Sequence, residues 1–517
     1  MISEYGSRKR LPLILVPGFV GLDSEKDLAY QGFNIGTVNY HQKGSDYIYE
    51  GFVLKLVKEE QYLDATNVIG FYSKSQNFSP FEILSEEDTA KRQAAEEFDE
   101  SFFKGRTVLH FEQAELFRWN QIDSFDPEVL WKSIWVFRYF DYNSGSIDTY
   151  GEEFYKFIRI ILAVTKAPAV NIIAHSIGGL LVRSALQKNI PWDERNRTIN
   201  KFITLSTPHR GFKFQLLPDQ MTLPASLKEL AVFSPKAQNN AEETLSYKNY
   251  SESLKKRTLC VAGTNYKSFT SNMQSLLGQF YADENNGGKV YNKSDGLVKQ
   301  NSALLDGTYS TFVHKSHADS NSLLCSREIY EIASRFFFGD YLLRIRYLGG
   351  MIKMGNDWIG KSEFFLGVSL KPRAIDFELF HQSREAENCY GPFEDVNLTK
   401  VAVHGKDFGD SNLIYTGFLD SSRILKNESD LVFRLSLFIS ERDTFGVGFS
   451  DEVILNKQYY IQIKPEEMLF KLHNKGFSKT GGEVCKTSSE NPNCFLLEIK
   501  EDGFEGKFTV EYSKIPD

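Results

Sequence analysis

An α/β architecture on a mostly parallel sheet, followed by a C-terminal antiparallel β-sandwich, is the fold class this sequence predicts. Three observations lead there. Between Ser133 and Phe338, short apolar runs alternate with amphipathic helical runs, as in successive βαβ units. One strand-to-helix junction is compressed into Ala174-His175-Ser176-Ile177-Gly178, too abrupt for an ordinary loop. Beyond Asp340 the hydrophobic period changes from helical spacing to two.

The chain has 517 residues, more than one ordinary core holds, so two or three domains are expected. Apolar residues make up 41% and aromatics 14%, with 42 Phe and 25 Tyr, enough for sizeable cores and too much for a largely disordered chain. The 60 basic and 68 acidic side chains leave a net charge of −8, which excludes a general nucleic-acid footprint. Nor does it attract the whole molecule to anionic membranes, although local patches leave peripheral contact open. No stretch approaches the ~18 consecutive apolar residues of a membrane span. Arg8-Lys9-Arg10 precede a short apolar run that ends in Pro17-Gly18 without a small-residue cleavage site, so the run reads as a first core strand and not a signal peptide. Five Cys do not make a disulfide framework, and a reducing, cytoplasmic location is the expectation. Cys485 and Cys494, bracketing a polar loop, could pair if the protein were exported by an unrecognised route.

Taken in order, Leu11 to Val16 is a strand emptying into Pro17-Gly18-Phe19, a turn able to aim backbone N–H groups at the carboxyl end of the sheet. Tyr47 to Lys58 and Asn67 to Tyr72 read as β-runs, while Ser85 to Phe103 is acidic, Ala-rich and helix-favouring. The segment from about 40 to 130 is too long for one crossover and is expected to be an insertion above the sheet. Ser133–Tyr139 is a strand, and Asp148–Val164 a helix on its Phe154, Phe157, Ile158, Ile161 and Leu162 spacing. Val170, Ile172 and Ile173 form the next strand, Leu180-Leu181-Val182 open the helix after it, and Ile199–Leu205 is the following strand. Pro218, Pro224 and Pro235 interrupt the alternation, marking 211–254 as a second lid candidate. Arg257–Gly263 and Thr308–Val313 are the last strands, and Ser326–Phe338 is a closing helix. The expected division is 1–340, with insertions near 40–130 and 211–254, and a sandwich over 341–517. Nine short alternating runs carry that sandwich: Leu342–Tyr347, Phe364–Leu370, Leu398–His404, Leu413–Phe418, Leu431–Ile439, Tyr459–Ile463, Met468–Leu472, Phe495–Ile499 and Lys507–Tyr512.

The compressed junction has the form of a nucleophile elbow, with small residues Ala174 and Gly178 two before and two after Ser176. A serine hydroxyl is nearly inert at neutral pH and needs a base within hydrogen-bond reach, itself oriented by a carboxylate. Asp295 sits in a Gly-flanked loop between the strands at 257–263 and 308–313, and His317 comes after the last strand. Of nine His, only His314 and His317 fall between that strand and the closing helix; His317 is preferred because His314 continues the strand. His175 reads as a packed structural residue, and His209 as a shaper of its own loop. Backbone N–H groups of Phe19 and Ile177 are the candidate oxyanion donors, each worth roughly 3 kcal/mol of barrier.

LILVPGF, AHSIGGLLVRSAL, ITLSTPHRG, SDGLV and HKSH followed by a helix, in that order, resemble the lipase branch of the α/β-hydrolase superfamily, which includes bacterial triacylglycerol lipases, lecithin–cholesterol acyltransferase-like enzymes and glycosylphosphatidylinositol inositol-deacylase-like proteins. The resemblance covers about residues 10 to 340. It implies a serine carboxylester hydrolase with lid insertions, acting on a lipid or other acyl ester. The nucleophile, acid and base then fall on Ser176, Asp295 and His317, and the oxyanion donors on Phe19 and Ile177, with no cofactor and no metal. Pro17 replaces the His often found before the oxyanion Gly, and Ala174 the first Gly of the pentapeptide; both departures bear on the subfamily more than on the chemistry. An acyltransferase using the same three residues, and a membrane- or partner-binding protein on a non-catalytic hydrolase scaffold, are the alternatives. Oligomeric state is not legible.

Overall fold

The structure is a computed structural model that describes residues 6–18, 52–64, 127–137, 147–211, 245–266, 293–317, 322–353, 362–373, 375–393, 396–398, 412–424, 430–443, 451–465, 467, 469–488 and 491–515. Its first layer is a parallel sheet of seven strands: β1 (Leu13–Val16), β2 (Leu63–Asp64), β3 (Ser133–Val136), β4 (Val170–His175), β5 (Ile199–Leu205), β6 (Thr258–Gly263) and β7 (Tyr309–Val313). The order across it is β2-β3-β1-β4-β5-β6-β7, which puts β4 in the middle. β1, β3, β4, β5 and β6 are buried at every position, as strands covered on both faces must be, and this explains their continuous rather than alternating apolar runs.

The expected insertions lie mostly outside the described residues, as do the expected β-run at 67–72, the expected helix at 85–103 and nearly all of the expected strand at 398–404. Where the first insertion is described, two expectations change. The run expected as a strand over 47–58 is, from Phe52 to Glu59, an α-helix. Phe52, Val53 and Leu56 form its buried stripe and Lys55 pairs with Glu59 one turn on, so the helical period decides over the run's apolar content. That helix packs on the closing helix Arg327–Phe338, with Phe52 and Tyr330 rings 6.3 Å apart, and leads into β2 at the sheet's edge. This stretch is therefore built into the sheet layer and does not sit above it.

Among the described residues eleven antiparallel strands come next, running from β8 (Tyr341–Ile352) to β18 (Phe504–Lys514). Those that matter below are β9 (Ser362–Pro372), β11 (Leu413–Leu419), β12 (Leu431–Asp443), β13 (Asp451–Lys464), β14 (Leu469–His473) and β17 (Cys494–Lys500). One sheet has six strands around β9-β12-β13-β14 and the other five around β11-β8-β18-β17. Phe470 of the first stacks on Phe495 of the second at 4.5 Å, so the two inner faces meet as in a sandwich. Cys485 and Cys494 are both free. Register explains it: Lys486 pairs with Leu496, which sets Cys485 opposite a position about three residues from Cys494, beyond disulfide reach.

The join between the sheets contains no linker. Asp340 N–H donates to Leu419 O at 2.9 Å, and the Asp340 carboxylate accepts from Ser421 N–H at 2.8 Å. Phe418 of β11 lies 5.0 Å edge-on from both Tyr309 of β7 and Phe336 of the closing helix. His381 N–H donates to Phe312 O at 3.1 Å, and Thr311 Oγ1–H donates to Leu379 O, so β7, the outer strand of the parallel sheet, is covered by the sandwich. Lys201, fully buried on β5, donates to Phe336 O at 2.7 Å and Phe337 O at 3.1 Å at the end of the closing helix. Burial, with Arg8 adding to it, pushes its ammonium down to about 7. One hydrophobic core runs continuously through the parallel sheet and the sandwich.

Candidate active site

β4 delivers the site. Its six residues end at His175, and the chain turns into the helix Ile177–Ser184 through Ser176 alone. Ser176 has φ 51°, a left-handed conformation a non-glycine residue holds only when its surroundings dictate it. The surroundings do so here: Ser176 N–H donates to Leu205 O of β5 at 2.9 Å, and Gly178 lies where a Cβ would come 2.2 Å from Pro17 O. The helix therefore crosses the end of β1 in contact with its backbone, which only glycine permits. Gly18 is equally confined, since a Cβ there would sit 2.9 Å from both His175 Nδ1 and Ser176 Cβ. The turn after β1 thus presses directly on the serine.

Three side chains from three loops meet at this point. His317 Nε2 is 3.0 Å from Ser176 Oγ, and His317 Nδ1 is 2.8 Å from Asp295 Oδ2. Asp295 Oδ1 accepts Leu297 N–H at 3.0 Å and Val298 N–H at 2.7 Å, so the loop fixes one carboxylate oxygen and presents the other. His317 N–H also donates to Asp295 O at 2.9 Å. Ser176, Asp295 and His317 are all buried. Burial pushes the Asp295 carboxyl up, but the neighbouring His317, the Ser206 hydroxyl and the Val298 N–H more than offset it and hold it below the ordinary carboxylate value. A serine hydroxyl facing an imidazole that is backed by an ionised carboxylate is equipped to lose its proton to that imidazole.

Of the remaining candidates, Ile177 is the first residue of the helix, where backbone N–H groups have no partner within the helix. Phe19 lies outside the described residues, one beyond Gly18. His314 Nδ1 meets Thr264 Oγ1 at 3.2 Å and its ring lies 5.7 Å from that of His381. His209 is buried against Thr204 and Arg183, and burial followed by the charges of Arg183 and Arg210 pushes it well below the ordinary imidazole value. His175 touches the site directly, through a contact between its Nε2 and the backbone oxygen of His317 at 3.0 Å.

Ser206, a residue sequence reasoning passed over, also reaches the site. It follows β5 with φ 46°, its Oγ accepts Gly263 N–H at 3.1 Å, and its hydroxyl lies near enough to the Asp295 carboxylate to help hold that carboxyl below its ordinary value. The signal lay in ITLSTPHRG: a strand next to the elbow strand must end beside the acid loop, and a hydroxyl at that end is a ready carboxylate partner. Among the described residues no group of three or more His, Cys, Asp or Glu is gathered as metal ligands would be, and no helix is long and apolar enough to cross a membrane.

Comparisons with known proteins bear on this region. Residues 141–232, from the helix before β4 to beyond the loop after β5, match the family described as "Putative serine esterase (DUF676)". No curated protein matches the chain. Among solved structures it is similar to lipase BlEst2 of Bacillus licheniformis in mature form, at 17% identity over 42% of this chain and 85% of that one with a TM-score of 0.29. It is also similar to phospholipase PlaB of Legionella pneumophila in complex with thio-NAD, at 11% identity over 92% and 98% with a TM-score of 0.31. Aspergillus fumigatus lipase B is a further likeness, at 13% identity over 64% and 53% with a TM-score of 0.24. The parallel sheet and the elbow at the end of its middle strand give the chain an α/β-hydrolase fold followed by a C-terminal β-sandwich, and the stretch around the elbow is the part that matches the serine-esterase family model.

Proposed function

We propose that this chain is a serine carboxylester hydrolase acting on lipid or other acyl esters, with Ser176 as nucleophile, His317 as general base and acid, and Asp295 as the group that orients the base. The observation that carries the reading is the 3.0 Å approach of His317 Nε2 to the hydroxyl of a serine held at positive φ. In the reaction Ser176 Oγ attacks the ester carbonyl while its proton passes to His317 Nε2. The tetrahedral oxyanion is taken up by backbone N–H groups, Ile177 at the helix start and Phe19 after Gly18. His317 returns the proton to the leaving alcohol, then deprotonates a water that releases the acid from Ser176. Throughout, the Asp295 carboxylate accepts the Nδ1 proton and stabilises the transient imidazolium.

An acyl substrate is supported by the residues bordering the elbow, where Ile147, Leu180 and Leu245 form a small apolar cluster with Ile177 against it. The test is Ser176→Ala, assayed with p-nitrophenyl butyrate and with a fluorophosphonate probe. Hydrolysis should fall by roughly 10⁴-fold or more and labelling should vanish. Labelling that persists in the variant would overturn the assignment. A panel of short esters, triacylglycerols and phospholipids, each above and below its aggregation limit, then identifies the head group and shows whether a lipid surface assists.

A further inference from the structure

We infer that His175 is a positioning residue for the general base: its Nε2–H anchors the backbone carbonyl of His317 while its other edge supports the oxyanion turn. The inference rests on the serine-hydrolase reading above and goes beyond it, since neither nucleophile, acid, base nor oxyanion donor includes this side chain.

The geometry sets the hydrogen-bond direction. His175 Nε2 and His317 O are 3.0 Å apart, and a carbonyl only accepts, so the imidazole donates from Nε2. The proton sits there whenever the ring is neutral, and neutral is the form that burial and the adjacent His317 enforce, holding His175 down to about 3 against a smaller opposing pull from Asp295. The charged or titratable groups that act on it are His317 and Asp295, both within the site.

The consequence for His317 comes from its own backbone. Its N–H is tied to Asp295 O at 2.9 Å and its carbonyl to His175 at 3.0 Å, so both ends of the residue carrying the base are pinned. The two imidazole rings lie 4.6 Å apart, close enough that a cationic His175 would oppose formation of the His317 imidazolium. A neutral donor fixes the base without that penalty. On the opposite side, Gly18 packs so close to His175 Nδ1 that a Cβ would meet it at 2.9 Å, so the same ring sets the height of the turn that precedes Phe19.

The experiment compares His175→Phe, which keeps the ring volume and loses the donor, with His175→Gln, whose amide N–H can reach the same carbonyl. Both are measured in the full chain against p-nitrophenyl butyrate and by the rate of fluorophosphonate labelling, with thermal melts alongside. His175→Phe should lower kcat and the labelling rate by 10- to 100-fold with KM changed less than threefold, and His175→Gln should recover most of the loss. Labelling of His175→Phe within twofold of wild type overturns the inference; so does a folded His175→Gln as impaired as a folded His175→Phe. If His175→Phe does not fold, His175→Gln decides alone: near-wild-type kcat supports the anchor, and a tenfold loss in a folded protein overturns it. Ser176→Ala separates the two proposals, because unchanged activity in that variant removes the hydrolase reading itself, whereas loss there with an undiminished His175→Phe removes only the anchor.

Discussion

Asp295 spends one carboxylate oxygen on the backbone N–H groups of Leu297 and Val298 and the other on His317, with the Ser206 hydroxyl close by helping to keep it ionised. Such a carboxylate cannot be replaced by its amide without loss. In Asp295→Asn the amide nitrogen would have to face either two N–H donors or the His317 Nδ1–H, and relief comes only by moving the proton to Nε2, where it can no longer accept from Ser176. Activity should fall roughly 10³- to 10⁴-fold with KM little changed, measured on p-nitrophenyl butyrate from pH 6 to 9. The residue types needed here were readable in the sequence: each of Ser176, Asp295 and His317 comes after a strand of the alternating unit, and strands of a parallel sheet all end on one side. The supporting residues were not. Ser206 and His175 acquire their contacts from neighbouring strands, and nothing within their own segments announces those neighbours.

At the scale of the element, the elbow depends on a near contact between the helix Ile177–Ser184 and the end of β1. Gly178→Ala would place a methyl group 2.2 Å from Pro17 O and 2.8 Å from Val16 O, with backbone on both sides unable to swing away. The cost should be about 3 kcal/mol or more, seen as a lower denaturation midpoint, and fluorophosphonate labelling should fall as Ser176 is displaced. The helix Phe52–Glu59 teaches the complementary lesson. YIYEGFVLKLVK has the apolar content of a strand, and a short apolar run cannot be told from a buried helix by content alone. The partner surface settles it: the closing helix offers Tyr330 to Phe52, and a helical stripe of Phe52, Val53 and Leu56 meets it where alternation would not. The alternating runs of the sandwich were easier to read because each buries one face against the opposite sheet, which imposes period two on the residues themselves.

Across the whole molecule, the sandwich completes the parallel sheet's last strand. Arg423, in the turn after β11, donates to Glu60 at 2.7 Å and to Glu331 at 3.3 Å, and Arg10 holds the second Glu60 oxygen at 2.7 Å, so four distant parts of the chain share one charge cluster around the buried Glu60. We propose that 1–340 and 341–517 are units of topology that do not fold independently. A chain ending at Asp340 would bare Tyr309, Phe312 and Phe336 along with the covered edge of β7, and should be insoluble or bind a hydrophobic dye and melt far below the full chain. Acid should also unfold the protein early. His175 and His209 are buried with depressed values, while in the unfolded chain each titrates near the ordinary 6.5. Below that pH the unfolded chain takes up protons that the folded one refuses, so stability present above pH 6.5 is lost progressively as the pH falls toward the folded value, about 3 for His175. His175 alone approaches a slope of about 1.4 kcal/mol per pH unit well below pH 6.5, His209 adds to it in the same direction, and His175→Phe should remove the His175 share, measured by urea unfolding between pH 6 and 4.

By itself the sequence determined the five strands and the three longer helices described between Ser133 and Phe338, the period-two character of the strands beyond Asp340, and the placing of Ser176, Asp295 and His317 after strands. These are local properties, set by hydrophobic period and by which residues break it. Tertiary structure alone decided that the compressed turn holds Ser176 at φ 51°, that Ser206 comes beside Asp295 and His175 reaches the backbone oxygen of His317, and that the sandwich seals the sheet's edge. Each of those depends on contacts between segments far apart in the chain, as does the pairing of Arg423 with Glu60 across 363 positions, and long-range pairing leaves no periodic trace in either partner.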